Sequence, residues 1–111
     1  GELEAALALS TDSFRRSVTH YALGNREASD DALAELTEFG SWYQVARVFG
    51  YRGDADRTFE WLERVMEDPD LLPAWILVEN AFRSVHDDER WLELMERLAL
   101  TEYWLAMAPA Q

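Results

Sequence analysis

A chain of 111 residues, 49% of them apolar, suffices for one packed domain and is no disordered acidic tail. It has no cysteine, which removes disulfides, thiolate metal sites and cysteine nucleophiles, and no lysine, which removes Schiff-base chemistry and the lysine of a phosphate loop. A net charge of −12 disfavours nucleic acid by long-range repulsion, and no apolar run reaches the ~20 residues of a membrane span.

Apolar residues recur at steps of three and four, and strand signals are nearly absent. The spacing predicts helices over 2–9, 11–23, 27–39, 41–52, 55–67, 74–85 and 88–100. The first, "ELEAALAL", reads as the second half of a hairpin whose first half is missing, so that Leu3, Ala6 and Leu7 want a partner. Gly1 in place of an initiator methionine reads as the edge of a fragment, and no signal-peptide pattern follows it. Gly24-Asn25 closes the second helix, and Leu33, Leu36 and Phe39 stripe the third. The fourth ends at Gly53, where Asp54 stands ready to cap the fifth, striped by Phe59, Leu62, Val65 and Met66. "DPDLLP" (68–73) is a break, because each proline disfavours helix in the residue before it. "HDDE" is another, with Asp87 or Asp88 capping the helix of Trp91, Leu94, Met95 and Leu98. Short helices joined by short loops fold as antiparallel hairpins.

Two hairpins share a pattern. Leu33 and Leu36 follow Gly24 at the offsets at which Leu62 and Val65 follow Gly53. Small residues suited to close helix crossing flank each glycine at matching distances: Ser17 and Ser29, then Ala46 and Thr58. Repeated hairpins with small residues at the crossings are the mark of a helical solenoid. In Ala46, Phe49, Gly53, Thr58, Leu62, Val65 and Pro69 the chain resembles the tetratricopeptide repeat. The unit before it, Ser17, His20, Gly24, Ser29, Leu33 and Leu36, has His20 where an aromatic is usual and a shorter step than the usual ~34 residues. "YQVARVFGYRGDADRTFEWLERV" (43–65) looks like the terminal repeats of bacterial multidomain signalling proteins: nucleotide cyclases, serine/threonine kinases and winged-helix regulators. Those tails usually close with aspartate-proline and arginine-phenylalanine. "DDERWLELMERLAL" keeps Arg90 and the aromatic Trp91 but has Glu89 for the proline.

The resemblance implies an all-α superhelix of about three antiparallel hairpins over residues 1–100, a fragment of a longer array, with 101–111 as an aromatic tail. It implies a cytoplasmic, non-catalytic module that binds a protein or peptide in a concave groove lined by the first helix of each hairpin. Those helices (11–23, 41–52, 74–85) hold Arg15, Arg16, Arg47, Arg52 and Arg83 against Asp12 and Glu79, although the chain as a whole is acidic. The expected contact residues are Arg15, Tyr43, Gln44, Arg47, Tyr51 and Arg83, an aromatic and guanidinium surface for a partner that includes acidic peptides. The competing account is that these arginines pair with neighbouring acids. The carboxylate clamp of chaperone-binding relatives uses lysine and asparagine, and here lysine is absent. A second reading is self-association into a homodimer through the open end or through Tyr103, Trp104, Leu105 and Met107 of the tail.

Other chemistry finds little support. His20 and His86 stand far apart in sequence, so no metal or other cofactor is expected; His20 reads as a filler between helices and His86 as a helix C-terminal residue. "DAD" at 54–56 lacks the turn glycine of a calcium loop, and Val65 stands where its last glutamate belongs. Glu60, Glu63 and Glu67 read as a solvated face with a Glu60–Arg64 pair, and a hydrolase built on them needs a deep cleft. The five tryptophans read as core, with Trp42 and Trp104 partly exposed.

Overall fold

The computed structural model describes residues 2–39, 41–67 and 74–107, with side chains described for 12–38, 41–67 and 76–107. Among these residues the chain is all helical: α1 (Glu2–Ala22), α2 (Arg26–Phe39), α3 (Trp42–Arg52), α4 (Ala55–Met66), α5 (Glu89–Arg97) and α6 (Thr101–Met107). Two 3₁₀ segments, Ala74–Val78 and Asn80–Val85, come between α4 and α5. The "DPDLLP" break and the repeat-like Pro69 lie outside the described residues.

Local chemistry sets most of the boundaries. α1 and α3 each end in a left-handed glycine, Gly24 at φ 82° and Gly53 at φ 74°. Asn25 N–H then reaches the His20 carbonyl at 2.8 Å, and Asp54 N–H that of Phe49 at 3.0 Å. This paired closure satisfies carbonyls that the helix leaves open. At the start of α3, Ser41 Oγ accepts from Tyr43 N–H; Asp54 and Asp88 cap α4 and α5 in the same manner.

Two expected elements take another form. Helices 2–9 and 11–23 are one continuous α1. Ser10, Thr11 and Asp12 are capping residues, but no glycine or proline interrupts the segment. In a helix interior such residues cost only a few tenths of a kcal/mol each, ~0.7 at most, so propagation wins. The expected α-helix 74–85 is two 3₁₀ pieces, because Glu79 between them is extended (φ −68°, ψ 118°). Its carboxylate accepts from Arg47 Nε at 3.0 Å and from Ala81 N–H at 3.4 Å, and β-branched Ile76, Val78 and Val85 offer little helical preference against this.

α1 packs on α2 and α3 on α4, while α3 also lies against α1, α2 and the second 3₁₀ segment. The small residues sit at these crossings. Ser17 and Ser29 are fully buried and hydrogen-bonded to each other's backbone, and Ala46 and Thr58 are fully buried in the second hairpin. A third approach was not legible in the repeat pattern. A Cβ on Gly50 would lie 2.2 Å from the Ala81 carbonyl oxygen, and Ser84 Oγ donates to the Gly50 carbonyl at 2.7 Å. One apolar cluster, around Leu36, Val45, Val48 and Phe49, joins the first hairpin to α3; the other runs from Tyr43 and Leu62 through Phe82 to Trp91 and Met95. Among the described residues no helix is long and apolar enough to cross a membrane.

Candidate partner-binding groove

The side-by-side placement of α1 and α3 leaves a cavity of about 380 Å³ between them. Val18, Tyr21 and Ala22 form one wall; Val48, Tyr51 and Arg52 form the other. Each set occupies positions i, i+3 and i+4, one stripe of a helix. The arrangement can hold an apolar side chain between two tyrosine rings, with a guanidinium group at the wall.

Arg52 is the best-anchored group there. Its side chain is 5% exposed, and Nη2 donates to Asp30 Oδ1 and Ser29 Oγ, both at 2.8 Å. The guanidinium carbon lies 5.0 Å from the Tyr21 ring centroid, within cation–π range. Its Nε is buried without a hydrogen-bond partner among the described atoms. Burial by itself would raise the Asp30 pKa, but hydrogen bonds from Arg52 and Arg26 outweigh it and hold the carboxyl below its ordinary range.

The six expected contact residues do not form one surface. Tyr51 is 43% exposed and lines the cavity, with its ring centroid 6.3 Å from that of Phe14. Arg47 is half-buried and lies over the same Phe14 ring, its guanidinium carbon 4.2 Å from the ring centroid. It is also engaged by Glu79 at 3.0 Å and by Gln44 Oε1 at 2.6 Å, so Gln44 serves as its brace. Arg15 is exposed on α1, one turn before Val18 and on the same helix face. Arg83 is exposed on the second 3₁₀ segment and is not part of the cavity wall.

Tyr43 is a correction: it is 7% exposed and packs edge-on against Phe82 at 5.6 Å, in the core and out of a partner's reach. Burial, reinforced by the charge of Glu79, pushes its phenol well above the ordinary value, and Arg47 offsets only part of this. The basic inner face is likewise reduced by ion pairs. Arg16 bonds Asp12 and Glu35, Arg47 bonds Glu79, and Arg52 bonds Asp30.

The tail residues also divide. Trp104 turns inward, 5.5 Å from Trp91 and 4.6 Å from His86, whereas Tyr103, Leu105 and Met107 are exposed at 63, 62 and 44%. His86, expected as a helix C-terminal residue, caps the second 3₁₀ segment and packs against both of these indoles, which also touch each other. Of the other tryptophans, Trp91 is fully buried and Trp42 is 41% exposed; the side chain of Trp75 lies outside those described. A second cavity of about 330 Å³ between α4 and α5 is rimmed by Asp56, Glu60, Glu63 and Glu93. Its arginines are engaged across it, Arg90 with Asp56 and Arg97 with Glu63, so it reads as a stitch between helices. Among the described residues no cluster of three or more His, Asp or Glu side chains is placed to hold a metal ion.

The sequence reading missed Val18, Tyr21, Ala22 and Val48 as site residues, and it counted Arg52 on the inner face without making it a contact residue. A signal for three of the missed residues was present: Val-x-x-Tyr occurs at 18–21 and again at 48–51, where it adds Val18, Tyr21 and Val48 to the expected Tyr51, and these are the stripes that face each other. No family model, curated protein or solved structure matches the chain.

Proposed function

We propose that this chain is a tetratricopeptide-like helical-repeat module that binds a protein segment in the groove between α1 and α3, without catalysis of its own. One observation carries the reading. α3 packs against both helices of the preceding hairpin while small buried residues recur at the crossings, Ser17 with Ser29 and then Ala46 with Thr58. Such nearest-neighbour stacking leaves the first helices adjacent, and the apolar cavity lies between them. The likeness of residues 43–65 to the repeats of bacterial signalling proteins supports a regulatory role within a larger chain of that kind. The test is selection of binders from a random peptide display library, followed by methyl NMR. Selected peptides should shift Val18 and Val48; peptides that shift only α6 signals would put the site elsewhere.

The second reading, self-association through α6, is favoured by the exposure of Tyr103, Leu105 and Met107 beside a docked Trp104. Light scattering over a concentration series tests it. A dimer lost in Leu105→Asp supports it, and a monomer at every concentration sinks it.

A further inference from the structure

We propose that the α1–α3 cavity accepts a large apolar side chain from an acidic peptide and that Arg52 receives the carboxylate next to it. The inference rests on the groove reading above and assigns its ligand class. Three observations lead to it.

The first is size and lining. About 380 Å³ is at the lower end of the ~300–1,000 Å³ of ligand pockets, enough for one or two side chains. Val18, Ala22 and Val48 supply apolar wall, and Tyr21 and Tyr51 supply rings.

The second is the Nε of Arg52. Guanidinium is a planar fork of five donors, and Asp30 and Ser29 both take hydrogen bonds from Nη2. Nε is left as a buried donor with no acceptor among the described atoms, a condition uncommon in folded chains. A carboxylate entering beside the cavity wall reaches it once the side chains that cover it move aside, and then supplies that acceptor in a charge-assisted bond.

The third is local charge. Arg26 lies 5.4 Å from the Tyr21 ring centroid, Arg47 lies over the Phe14 ring that Tyr51 also meets, and Arg15 stands one turn before Val18. Among the described residues Asp30 pairs with both Arg26 and Arg52 and Glu79 with Arg47, so two carboxylates serve three of these guanidinium groups. The chain's −12 charge opposes an acidic ligand at long range, but charges beyond the Debye length of ~8 Å at physiological salt are largely screened. Contact-range arginine therefore decides the preference. Arg15 and the Phe14–Arg47 pair extend the surface along both helices past the cavity, which suits an extended chain better than a lone small acid.

The experiment uses the full chain and two pools of fluorescein-labelled octapeptides with one central phenylalanine, leucine or tryptophan. The flanks are aspartate and glutamate in one pool, asparagine and glutamine in the other. The acidic pool should bind roughly tenfold tighter or more by anisotropy, and should shift the methyl signals of Val18 and Val48. Arg52→Gln should abolish the preference. If that variant does not fold, Ala22→Trp, an exposed position that fills the cavity, should weaken the acidic pool roughly tenfold. Equal binding of both pools at Val18 and Val48 overturns the ligand class but leaves the groove reading standing. Tighter binding of the acidic pool with Val18 and Val48 unmoved overturns the placement. Binding of neither pool overturns the groove reading together with this one.

Discussion

Ser17 and Ser29 are hydrogen-bonded to each other's main chain: Ser17 Oγ donates to the Ser29 carbonyl at 2.9 Å, and Ser29 Oγ to the Ser17 carbonyl at 2.6 Å. Both residues are fully buried, so α1 and α2 cross in contact at this point and each hydroxyl replaces the water it has lost. Larger side chains have no room there. Ser17→Leu should lower stability by ~1–3 kcal/mol through overpacking, and Ser17→Ala by ~1 kcal/mol through the lost bond. Urea unfolding followed by far-UV circular dichroism measures both, and equal midpoints for the native chain and Ser17→Leu would remove the crossing.

Gly50 sets two local rules against each other. Alanine is favoured over glycine in a helix interior by ~1 kcal/mol. Yet the added Cβ would sit 2.2 Å from a backbone oxygen of the 3₁₀ segment, which moves only if the segment shifts. The clash outweighs the propensity, so Gly50→Ala should be destabilised by a net ~1–2 kcal/mol. A gain in melting temperature would contradict this.

Ala99 offers the opposite case. It has φ 58° and closes α5 with the same paired bonds as Gly24 and Gly53: Leu100 N–H to the Met95 carbonyl at 2.8 Å and Ala99 N–H to that of Glu96 at 3.1 Å. A left-handed alanine costs ~1–2 kcal/mol, and glycine returns part of that gain as unfolded-state entropy. Ala99→Gly should therefore stabilise by ~0.5–1 kcal/mol, read as a higher urea midpoint at unchanged slope.

Acid should weaken the fold in two separate steps. The His86 ring is 4.6 Å from each of Trp91 and Trp104. Burial, then the charge of Arg83, lowers its pKa from the ordinary 6.5, and Asp87 offsets only part of this. The folded state thus prefers neutral imidazole, and this contribution, present above 6.5, is lost as pH falls through the lowered value. Asp88 acts lower down. Hydrogen bonds from the Arg90 side chain and backbone hold it at about 2 against the ordinary 3.8. Its contribution is present above 3.8 and disappears as pH falls through about 2. His86→Phe keeps an aromatic ring against both indoles and should remove only the first step from a profile of melting temperature against pH.

Trp104 anchors α6. Trp104→Ala removes its contacts with Trp91 and His86 and should cost ~3 kcal/mol, near the lower end for deleting a packed tryptophan. Trp91 would become wetter, so the remaining tryptophan emission should move to longer wavelength before any loss of helical signal.

Much of this was legible because helix ends are written locally. Gly24, Gly53 and Asp54 announce themselves by residue type, as does the Asp87-Asp88 pair that supplies the last cap, and period-three-and-four stripes identified α2, α4 and α5. The small residues at the crossings followed from matching one hairpin to the next. Interactions between distant segments were not legible. The sequence cannot show that Arg47 meets Glu79, or that Arg52 meets Asp30, and so arginines counted as a free inner face were largely committed. Tyr43 was misplaced for a related reason: its position suits the groove, but Gly50 admits the 3₁₀ segment so closely that Phe82 covers it. The break expected after residue 9 also failed, since residues able to cap, such as Ser10, Thr11 and Asp12, end a helix only where something else stops propagation.

The 3₁₀ stretch also sets the order in which the molecule comes apart. Its i+3 bonds are long, 3.4 Å from His86 N–H to the Arg83 carbonyl and 3.4 Å from Glu79 N–H to that of Ile76. Bonds of this geometry hold less tightly than α-helical ones. In deuterium labelling the amides of 79–86 should therefore exchange before those of α3 and α4. That opening lifts the cover from Gly50 and Tyr43 while both hairpins remain folded, which leaves a four-helix body with one face of α3 bare.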